Sequence, residues 1–411
     1  MFISNGFGKL KGSAVVDACP RKVKIIAFVG FYFPGFKAGG PLRTLLHMVE
    51  HLSECCEFWI VTRDRDLGDV APYRGLEVNT WVEVGASKVM YCSPDLQTVG
   101  GFASVINSGS FDVLYLNSFF DPVFTMKPLF ARYFRKIGNL PIILAPRGEF
   151  SKGALQLKSI KKRIYIFVAR LVGLYSGVKW QASSVHEVED IMSQRIARSR
   201  MDIAIALDLP ESFQEIGTQV SAPAVMRTSE NALRIVFLSR VSPKKNLDFA
   251  LRILGRVAAK VVFDIYGPLG DSDYWGKCQE LMRSLPPNIR VSYCGEVGHH
   301  DVGATFARYD LFLFPTRGEN YGHVVAESLM VGTPVLLSDQ TPWRNLAKDG
   351  LGWDFQLDDM DSFVMAIDSF VVENGGQVVF DREDVRRRAK ERIYDPEVFQ
   401  ANRDLFLAVV P

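Results

Sequence analysis

The sequence has few cysteines and no long apolar run. Six cysteines occur among 411 residues without the spacing of a metal site, and Cys55 and Cys56 are adjacent. This usage is typical of reduced thiols, so we expect a cytoplasmic protein. Residues 1–20 lack the uninterrupted apolar region of a secretory signal peptide, and no stretch approaches the ~18 apolar residues of a membrane span. We therefore expect neither secretion nor a transmembrane helix.

The whole chain has almost no net charge, but its two halves carry net charges of opposite sign. The chain has 48 Lys and Arg against 46 Asp and Glu. Residues 1–210 contain 26 basic and 18 acidic residues, a net charge of +8, which leaves a net charge of −6 for residues 211–411. Apolar residues make up 48% of the composition, so the chain is globular, and its length predicts about two domains of similar size.

Short apolar runs predict strands that are covered on both faces. In the first half these runs are Val23–Val29, Phe58–Thr62, Val113–Asn117, Ile142–Pro146 and Val178–Ala182. In the second half they are Leu233–Leu238, Val261–Tyr266, Ile289–Tyr293, Leu311–Pro315 and Pro334–Ser338. Each run is followed by helix-compatible sequence. The alternation predicts an α/β protein with two parallel, doubly wound sheets.

A polar segment separates the two predicted domains. Residues 211–232 are rich in Ser, Thr, Pro and Gln and show no periodicity, which indicates a linker. The first domain then spans residues 1–210 and the second spans residues 233–395. We expect residues 396–411 to pack back on the first domain.

Two glycines precede the first amphipathic helix. Gly39 and Gly40 follow the first predicted strand, and the helix behind them has an apolar face formed by Leu42, Leu45, Leu46, Val49 and Leu52. Glycine lets a backbone approach a ligand closely, and a helix N-terminus presents unpaired amides to an anion. The loop is therefore either a phosphate site or an ordinary turn between strand and helix.

Cations follow the first strand of the second domain. Arg240, Lys244 and Lys245 lie in the segment SRVSPKKN. An arginine fork and a lysine point charge at a strand end could hold a diphosphate. The alternative is a solvated basic turn, which is favoured when this loop is considered by itself.

Two glutamates follow a later strand of the second domain. Glu319 lies in a loop and Glu327 lies within the next helix, so the two carboxylates are expected to have different roles. The amides at the start of that helix would be unpaired and suited to an anion. They belong to Gly322, His323 and Val324. The alternative is a surface helix with two solvated glutamates.

Together these motifs resemble family 4 glycosyltransferases of the GT-B fold, in their order along the chain. Three further segments are similar to a bacterial branch of that family that builds surface polysaccharides; they are TRDRDLGD near Thr62, APRGEF near Arg147 and TPWRNL near Trp343. The family motifs are Gly39-Gly40, the pair Arg240 and Lys245, the spacing of Glu319 and Glu327, and Gly332-Thr333-Pro334-Val335.

The resemblance implies two Rossmann-like doubly wound domains that face a central cleft. It implies that Arg240 and Lys245 hold the donor diphosphate and that Glu319 contacts the transferred sugar, as the catalytic residues. The implied donor-binding residues are Gly39, Gly40, Gly322, His323, Val324, Glu327, Asn117 and Arg147. Asn117 and Arg147 stand where many family members have histidines. Asn246 replaces the glycine usual after the loop lysine, which is expected to alter that loop.

The implied activity is that of a retaining hexosyltransferase. It would move a sugar from a nucleotide diphosphate sugar, such as a UDP- or GDP-sugar, to a hydroxyl of a glycan or lipid-linked glycan. The product would belong to an exopolysaccharide, a capsule or an O-antigen. The donor is a co-substrate, and no cofactor is expected.

No metal site is expected either. Asp64-Arg65-Asp66 and Asp271-Ser272-Asp273 match the D-x-D pattern of metal-dependent glycosyltransferases. That pattern is short and often accidental, and GT-B enzymes generally act without a bound metal.

Other functions remain open at this point. A GT-B nucleotide-sugar epimerase would share the fold and the diphosphate site but would need no acceptor. A catalytically silent protein that binds a glycan or a nucleotide sugar would keep the fold without turnover. A glycosidase is less favoured, because nothing in the spacing of Glu319 and Glu327 places them on both sides of one glycosidic bond.

The first half also contains a basic amphipathic stretch. From Lys127 to Arg200 there are 15 basic and four acidic residues, and around 155–180 the cations alternate with Ile, Phe and Leu. Such a sequence predicts either contact with an anionic membrane surface or the solvated face of a core helix. Contact would place the protein peripherally on the cytoplasmic face of the inner membrane. Nucleic acid is not expected, because no recognition motif accompanies the charge.

Overall fold

The computed structural model describes residues 21–35, 37, 40–151, 154–155, 159–211, 232–298, 301–372 and 380–409. Most of the predicted linker, Gly39 and Lys158 lie outside the described residues. No helix of the described part is long and apolar enough to cross a bilayer.

The first domain is built on an eight-stranded sheet. Its order is β3-β4-β2-β1-β5-β6-β7-β8, and all neighbours are parallel except the antiparallel pair β3 and β4. The strands are β1 Val23–Phe28, β2 Cys56–Arg63, β3 Trp81–Val84, β4 Ser87–Cys92, β5 Val113–Leu116, β6 Ile142–Leu144, β7 Val178–Ala182 and β8 Ile203–Ile205.

The second domain is built on a six-stranded parallel sheet. Its order is β11-β10-β9-β12-β13-β14. The strands are β9 Leu233–Leu238, β10 Val261–Tyr266, β11 Ile289–Tyr293, β12 Leu311–Phe314, β13 Val335–Ser338 and β14 Gly352–Phe355. The chain goes from β9 to one side of the sheet and returns to the other side at β12. In such sheets, ligands bind at the carboxyl ends of the two strands where the direction reverses.

Helices connect most of the strands. In the first domain they are α1 Gly40–Leu52, α2 Val99–Asn107, α3 Met126–Tyr133, α4 Ser159–Leu171 and α5 Val185–Ser193. The later helices are α6 Leu247–Leu254, α7 Ser272–Arg283, α8 Val302–Phe306, α9 His323–Met330, α10 Met360–Val372, α11 Arg382–Ile393 and α12 Pro396–Leu407.

All ten predicted strands are present, within two residues at each end. Four strands were not predicted, namely β3, β4, β8 and β14. β3, β8 and β14 lie at sheet edges, as the predicted strand β11 also does. β3 and β14 are interrupted by a carboxylate, and β8 has only three residues, so none of them forms a long apolar run. The two sheets with their helices confirm the predicted fold class of two Rossmann-like α/β domains.

The last helix, α12, packs on the first domain. Phe406 is fully buried, and its ring lies 5.8 Å from that of Phe58 in β2 and 5.6 Å from that of Tyr115 in β5, measured between centroids. Asn402 donates a hydrogen bond to the carbonyl of Leu207 at 2.8 Å. The core of the first domain therefore includes the C-terminal helix of the chain.

Candidate functional site

Lys245 and Glu319 meet where the second sheet reverses direction. Lys245 follows β9 and Glu319 follows β12, and these strands are neighbours in the sheet. Lys245 Nζ lies 2.5 Å from Glu319 Oε1, and the hydroxyl of Thr316 donates to the same oxygen at 3.0 Å. Both side chains are mostly buried. The residues predicted from two separate motifs thus form one ion pair at the place where this fold binds ligands.

Asn246 gives the basic loop a conformation that glycine favours. Its backbone φ is 63°, in the left-handed region, which asparagine tolerates better than most residues. Its side-chain amide donates to the carbonyl of Pro315 at 2.8 Å and its oxygen accepts from Arg317 Nε at 2.9 Å. Asparagine therefore holds a glycine-like backbone here and ties this loop to the loop of Glu319.

Arg240 is exposed and reaches the first domain. Its Nη2 donates to the backbone carbonyl of Lys37 at 2.9 Å. Two glycines after β10 make room for the Arg240 loop. A Cβ on Gly267, which has φ 130°, would lie 2.1 Å from the carbonyl oxygen of Ser239, and one on Gly270 would lie 3.1 Å from Arg240 Cδ. The sequence pattern does not identify these two glycines as part of the site.

Two helices from opposite domains begin at the cleft. α1 starts at Gly40, and α9 starts at His323 after Gly322, whose φ is 82°. One turn into these helices, Arg43 forms an ion pair with Glu327. The hydroxyl of Thr44 lies 3.1 Å from Nε2 of His323, the first residue of α9. The amides of His323 and Val324 begin α9 and have no acceptor within the helix. The positive ends of two helix dipoles therefore lie close together.

Gly40 has open space around it. A Cβ on Gly40 would meet no protein atom within 4 Å. Packing among the described residues therefore does not require glycine at this position. Gly39 lies outside the described residues.

Arg147 and Asn117 form a buried network. Arg147 donates from Nε to Asn117 Oδ1 at 2.8 Å, pairs with Asp208 through Nη1 and bonds the Tyr115 hydroxyl through Nη2. Asn117 in turn donates to the carbonyl of Pro41 at 2.9 Å, in the first turn of α1. All three guanidinium nitrogens are bonded to protein groups. The structure therefore places Arg147 as an anchor beneath the start of α1 instead of presenting a free cation to the cleft.

Asn320 joins the site to the first domain. Its amide donates to Asp208 at 3.3 Å, and its oxygen accepts from the hydroxyl of Ser183 at 2.7 Å. A Cβ on Gly148 would lie 3.3 Å from Asn320 Oδ1, so glycine there permits the close approach. Asn320 follows Glu319 directly, and that adjacency is the only sequence signal for its role. Nothing in the sequence pattern pointed to Arg43 or Asp208.

Burial controls the ionisation of a histidine beneath the cleft. Burial, and then the neighbouring His323, lower the pKa of His47 to about 3. The two imidazole rings meet edge to face at 5.2 Å between centroids. His47 also lies 3.2 Å from the carbonyl of Leu209 through Nδ1. His47 is therefore neutral at physiological pH.

The two D-x-D segments have structural partners. Asp271 caps α7 by accepting from the amide of Tyr274 at 2.9 Å, and Asp64 pairs with Arg65 at 2.8 Å. Asp66 accepts from the amides of Leu67 and Lys37. Among the described residues, no group of three or more His, Cys, Asp or Glu side chains could hold a metal ion.

Residues 223–392 match the family model described as glycosyl transferases group 1. The match covers the second domain, where Arg240, Lys245, Glu319 and Glu327 lie. An uncharacterised 41.2 kDa protein in the cps region of Klebsiella pneumoniae is 27% identical over 270 residues, which cover 64% of this chain and 70% of that protein.

Two solved structures share the fold over nearly the whole chain. Alr3699/HepE from Anabaena, in complex with UDP and glucose, has a TM-score of 0.64 and 15% identity, over 94% of this chain and 99% of that chain. The apo form of WaaB, a lipopolysaccharide outer core galactosyltransferase, has a TM-score of 0.60 and 17% identity, over 94% and 99% of the two chains. The chain therefore has the GT-B fold, and the family match supports a glycosyltransferase.

Proposed function

We propose that this protein moves a sugar from a nucleotide diphosphate sugar to a hydroxyl of a glycan or lipid-linked glycan. The observation that carries the proposal is the pair of Lys245 and Glu319 at the reversal of the second sheet, next to the start of α9. The match of the second domain to glycosyl transferases group 1 agrees with it. The similar Anabaena protein binds UDP and glucose, which favours a UDP-sugar over a GDP-sugar as the first donor to test.

The donor diphosphate is assigned to the second domain. Lys245 and Arg240 supply cations, and the amides at Gly322, His323 and Val324 supply hydrogen-bond donors at a helix N-terminus. Glu319 holds the ammonium group of Lys245 in the cleft loops. A diphosphate that binds there would share the ammonium group with that carboxylate. Gly40, with open space around it, completes the phosphate site from the first domain.

The two carboxylates have different environments and therefore different proposed roles. Glu319 is in a loop with Lys245 and Thr316, where it would contact the transferred sugar. Glu327 is inside α9 and pairs with Arg43 of the other domain, where it would accept hydrogen bonds from the ribose hydroxyls. Asn117 and Arg147 support the donor site indirectly, because they fix the first turn of α1.

The proposed reaction retains the anomeric configuration of the sugar. In a front-face displacement, the bond from the anomeric carbon to the leaving phosphate oxygen breaks, and the acceptor oxygen bonds to the same face. The acceptor proton passes to the leaving phosphate. The protein positions both substrates, and Arg240 and Lys245 stabilise the charge that grows on the diphosphate. These cations and the amides of α9 can perform that task without a metal or a further cofactor.

The proposed setting is the synthesis of a surface polysaccharide in the cytoplasm. A relative encoded in a cps region and a fold shared with a lipopolysaccharide galactosyltransferase support this setting. The acceptor would then be a growing glycan or a glycan linked to a lipid.

Turnover assays with a set of UDP- and GDP-sugars test the proposal. The protein is incubated with each donor, with and without glycan acceptors, and products are analysed by mass spectrometry and proton NMR. We expect an acceptor-dependent glycoside with the anomeric configuration of the donor. An isomerised sugar formed from the donor alone would indicate an epimerase. Binding without turnover for every donor and acceptor would indicate a silent binding protein. A covalent glycosyl adduct on Glu319 would contradict the front-face mechanism.

The variant Glu319→Gln tests whether turnover depends on the proposed site. The substitution keeps the shape of the side chain but removes the charge that pairs with Lys245. Glu280→Gln is the matched control, because Glu280 is exposed on α7. We expect turnover to fall in the first variant and to stay at the wild-type level in the control.

A further inference from the structure

Helix α4 presents an apolar stripe to solvent. Ile160, Ile164, Phe167 and Leu171 are each more than half exposed. Their spacing of four, three and four residues places them on one face of the helix. Val168 lies beside the stripe and is also exposed. An exposed apolar surface of this kind on a folded domain marks a site of interaction.

The stripe is not the core-facing side of α4. Ile166 and Ala169 are buried in the core of the first domain. At about 100° per residue they point away from the stripe, on the opposite side of the helix. α4 is therefore apolar on two faces, and the core explains only one of them.

Basic side chains flank the stripe on both sides. Lys161 lies on one side, and Arg163 and Arg170 lie on the other, and all three are exposed. The sequence contains no Asp or Glu between Glu149 and Glu187. The segment that forms α4 and its flanks therefore carries positive charge and no negative charge.

Lys162 has a different role from its neighbours. Its ammonium group donates to the carbonyl of Ala154 at 2.7 Å and lies 4.7 Å from the centre of the Phe120 ring. It points toward the domain and not toward the stripe. The cations available to a partner on α4 are therefore Lys161, Arg163 and Arg170.

We propose that α4 docks on the surface of an anionic phospholipid membrane. An apolar stripe bordered by cations lies parallel to a bilayer surface, with the apolar side chains among the acyl chains and the cations at the headgroups. Anionic lipids complement the charge around the stripe. A second copy of this chain would place the cations of one copy against those of the other, which disfavours self-association through this face.

The position of α4 connects the membrane surface with the cleft. α4 follows β6, so it begins near the carboxyl edge of the first sheet, the edge that faces α9. A lipid-linked acceptor held in the membrane would then lie near the cleft. This orientation rests on the proposed function, whereas the attachment itself depends only on the surface of α4.

Co-sedimentation with vesicles tests the attachment without an activity assay. The full chain is mixed with vesicles of phosphatidylcholine alone or of phosphatidylcholine with phosphatidylglycerol. We expect binding to the anionic vesicles that weakens as the ionic strength rises through about 0.15 M. Reversal of three charges in Lys161→Glu, Arg163→Glu and Arg170→Glu should lower the partition coefficient about a hundredfold. The double variant Ile164→Ser and Phe167→Ser should lower it about tenfold or more.

A matched charge reversal on the second domain is the control. Lys260, Lys277 and Arg290 are exposed there, and their change to Glu alters the net charge by the same amount. We expect this variant to bind vesicles like the wild type, and all variants to keep the wild-type circular dichroism spectrum. Equal loss of binding in both triple variants would overturn the proposal, as would equal binding to neutral and anionic vesicles. Absence of vesicle binding, with a dimer in sedimentation that Ile164→Ser and Phe167→Ser dissociate, would assign the stripe to a second copy instead.

Discussion

The first domain is basic and exposes an apolar helix, whereas the second half of the chain is acidic and places three cations in one loop of the cleft. In the second domain, Lys245 and Glu319 follow neighbouring strands and act within a few residues of strand ends. In the first domain, Arg147 and Asp208 also follow strand ends, those of β6 and β8, but their side chains pair with each other beneath the start of α1. A position after a strand end can be predicted from the sequence, whereas the partner that a side chain meets there depends on packing.

The two domains also differ in where their positive charges lie. The positive charge of the first domain is spread over an outer surface around α4, where it fits a large anionic partner. In the second domain, Arg240 and Lys245, the cations proposed to bind the diphosphate, lie in one loop at the cleft, in a half of the chain whose net charge is negative. We therefore expect charge reversals to separate the two functions cleanly, one in each domain.

The largest expected effect is that of Lys245→Ala on turnover. The substitution removes the cation nearest to Glu319 and leaves the departing diphosphate without that donor, so we expect a loss of about 10²–10³ in turnover. Steady-state kinetics with the best donor measure it. Lys260→Ala, an exposed lysine of the same domain, is the control and should leave turnover unchanged. A loss below about threefold would contradict the assignment of Lys245.

The next largest effect separates the two glutamates. Glu319→Gln should depress turnover more than nucleotide affinity, because the proposed role of Glu319 is to contact the transferred sugar. Glu327→Gln should weaken nucleotide binding itself by about tenfold, because a neutral amide accepts weaker hydrogen bonds from the ribose. Kinetics and calorimetry on both variants give the two quantities. Identical profiles for the two variants would show that the division between loop and helix is wrong.

A smaller effect is expected from the ion pair between the domains. Arg43→Met leaves the mostly buried carboxylate of Glu327 without its partner across the cleft, and we expect a loss of about 1–2 kcal/mol in the free energy of unfolding. The double variant with Glu327→Gln should recover part of that loss. Urea denaturation of both single variants and the double variant measures the coupling. Additive losses would mean that the pair does not link the domains energetically.

The last expected effect concerns stability in acid and develops gradually as the pH falls. Burial lowers the pKa of His47 below its unfolded value, so the unfolded state binds the proton first as the pH falls. Stability should therefore be complete above about pH 6.5 and decline from there toward about pH 3, by up to about 1.4 kcal/mol per pH unit. His47→Gln should flatten the slope in urea denaturation at several pH values. An unchanged slope would show that other groups control acid stability.

The buried strands were predictable because a strand covered on both faces needs a continuous apolar run. Three of the strands that were not predicted, β3, β8 and β14, lie at sheet edges and are only three or four residues long. β3 and β14 each contain a carboxylate, and β8 is apolar but short. The family resemblance implied that Lys245 and Glu319 bind different parts of the donor, and it did not imply their ion pair. The adjacency of β9 and β12 in the sheet explains why the two side chains meet.

Contacts between the domains were not predictable in the same way. The pairs Arg43 with Glu327 and Asn320 with Asp208 depend on how one domain lies against the other, and no local pattern encodes that placement. The family resemblance implied that Arg147 binds the donor, whereas its guanidinium group is bonded to Asn117, Tyr115 and Asp208.

The exposed stripe of α4 could not be identified from the sequence either. α4 has apolar residues on two faces, and only their exposure distinguishes the outer stripe from the side that packs on the core.

Calorimetric titration of nucleoside diphosphates tests most directly whether the second domain binds the donor through its basic loop. UDP, GDP and ADP are titrated into the wild type, Arg240→Ala, Lys245→Ala and the control Lys260→Ala. We predict that one nucleotide binds the wild type and the control with equal affinity, and that each site variant binds it about ten- to a hundredfold more weakly. Equal affinity of the wild type and both site variants for all three nucleotides would contradict the account.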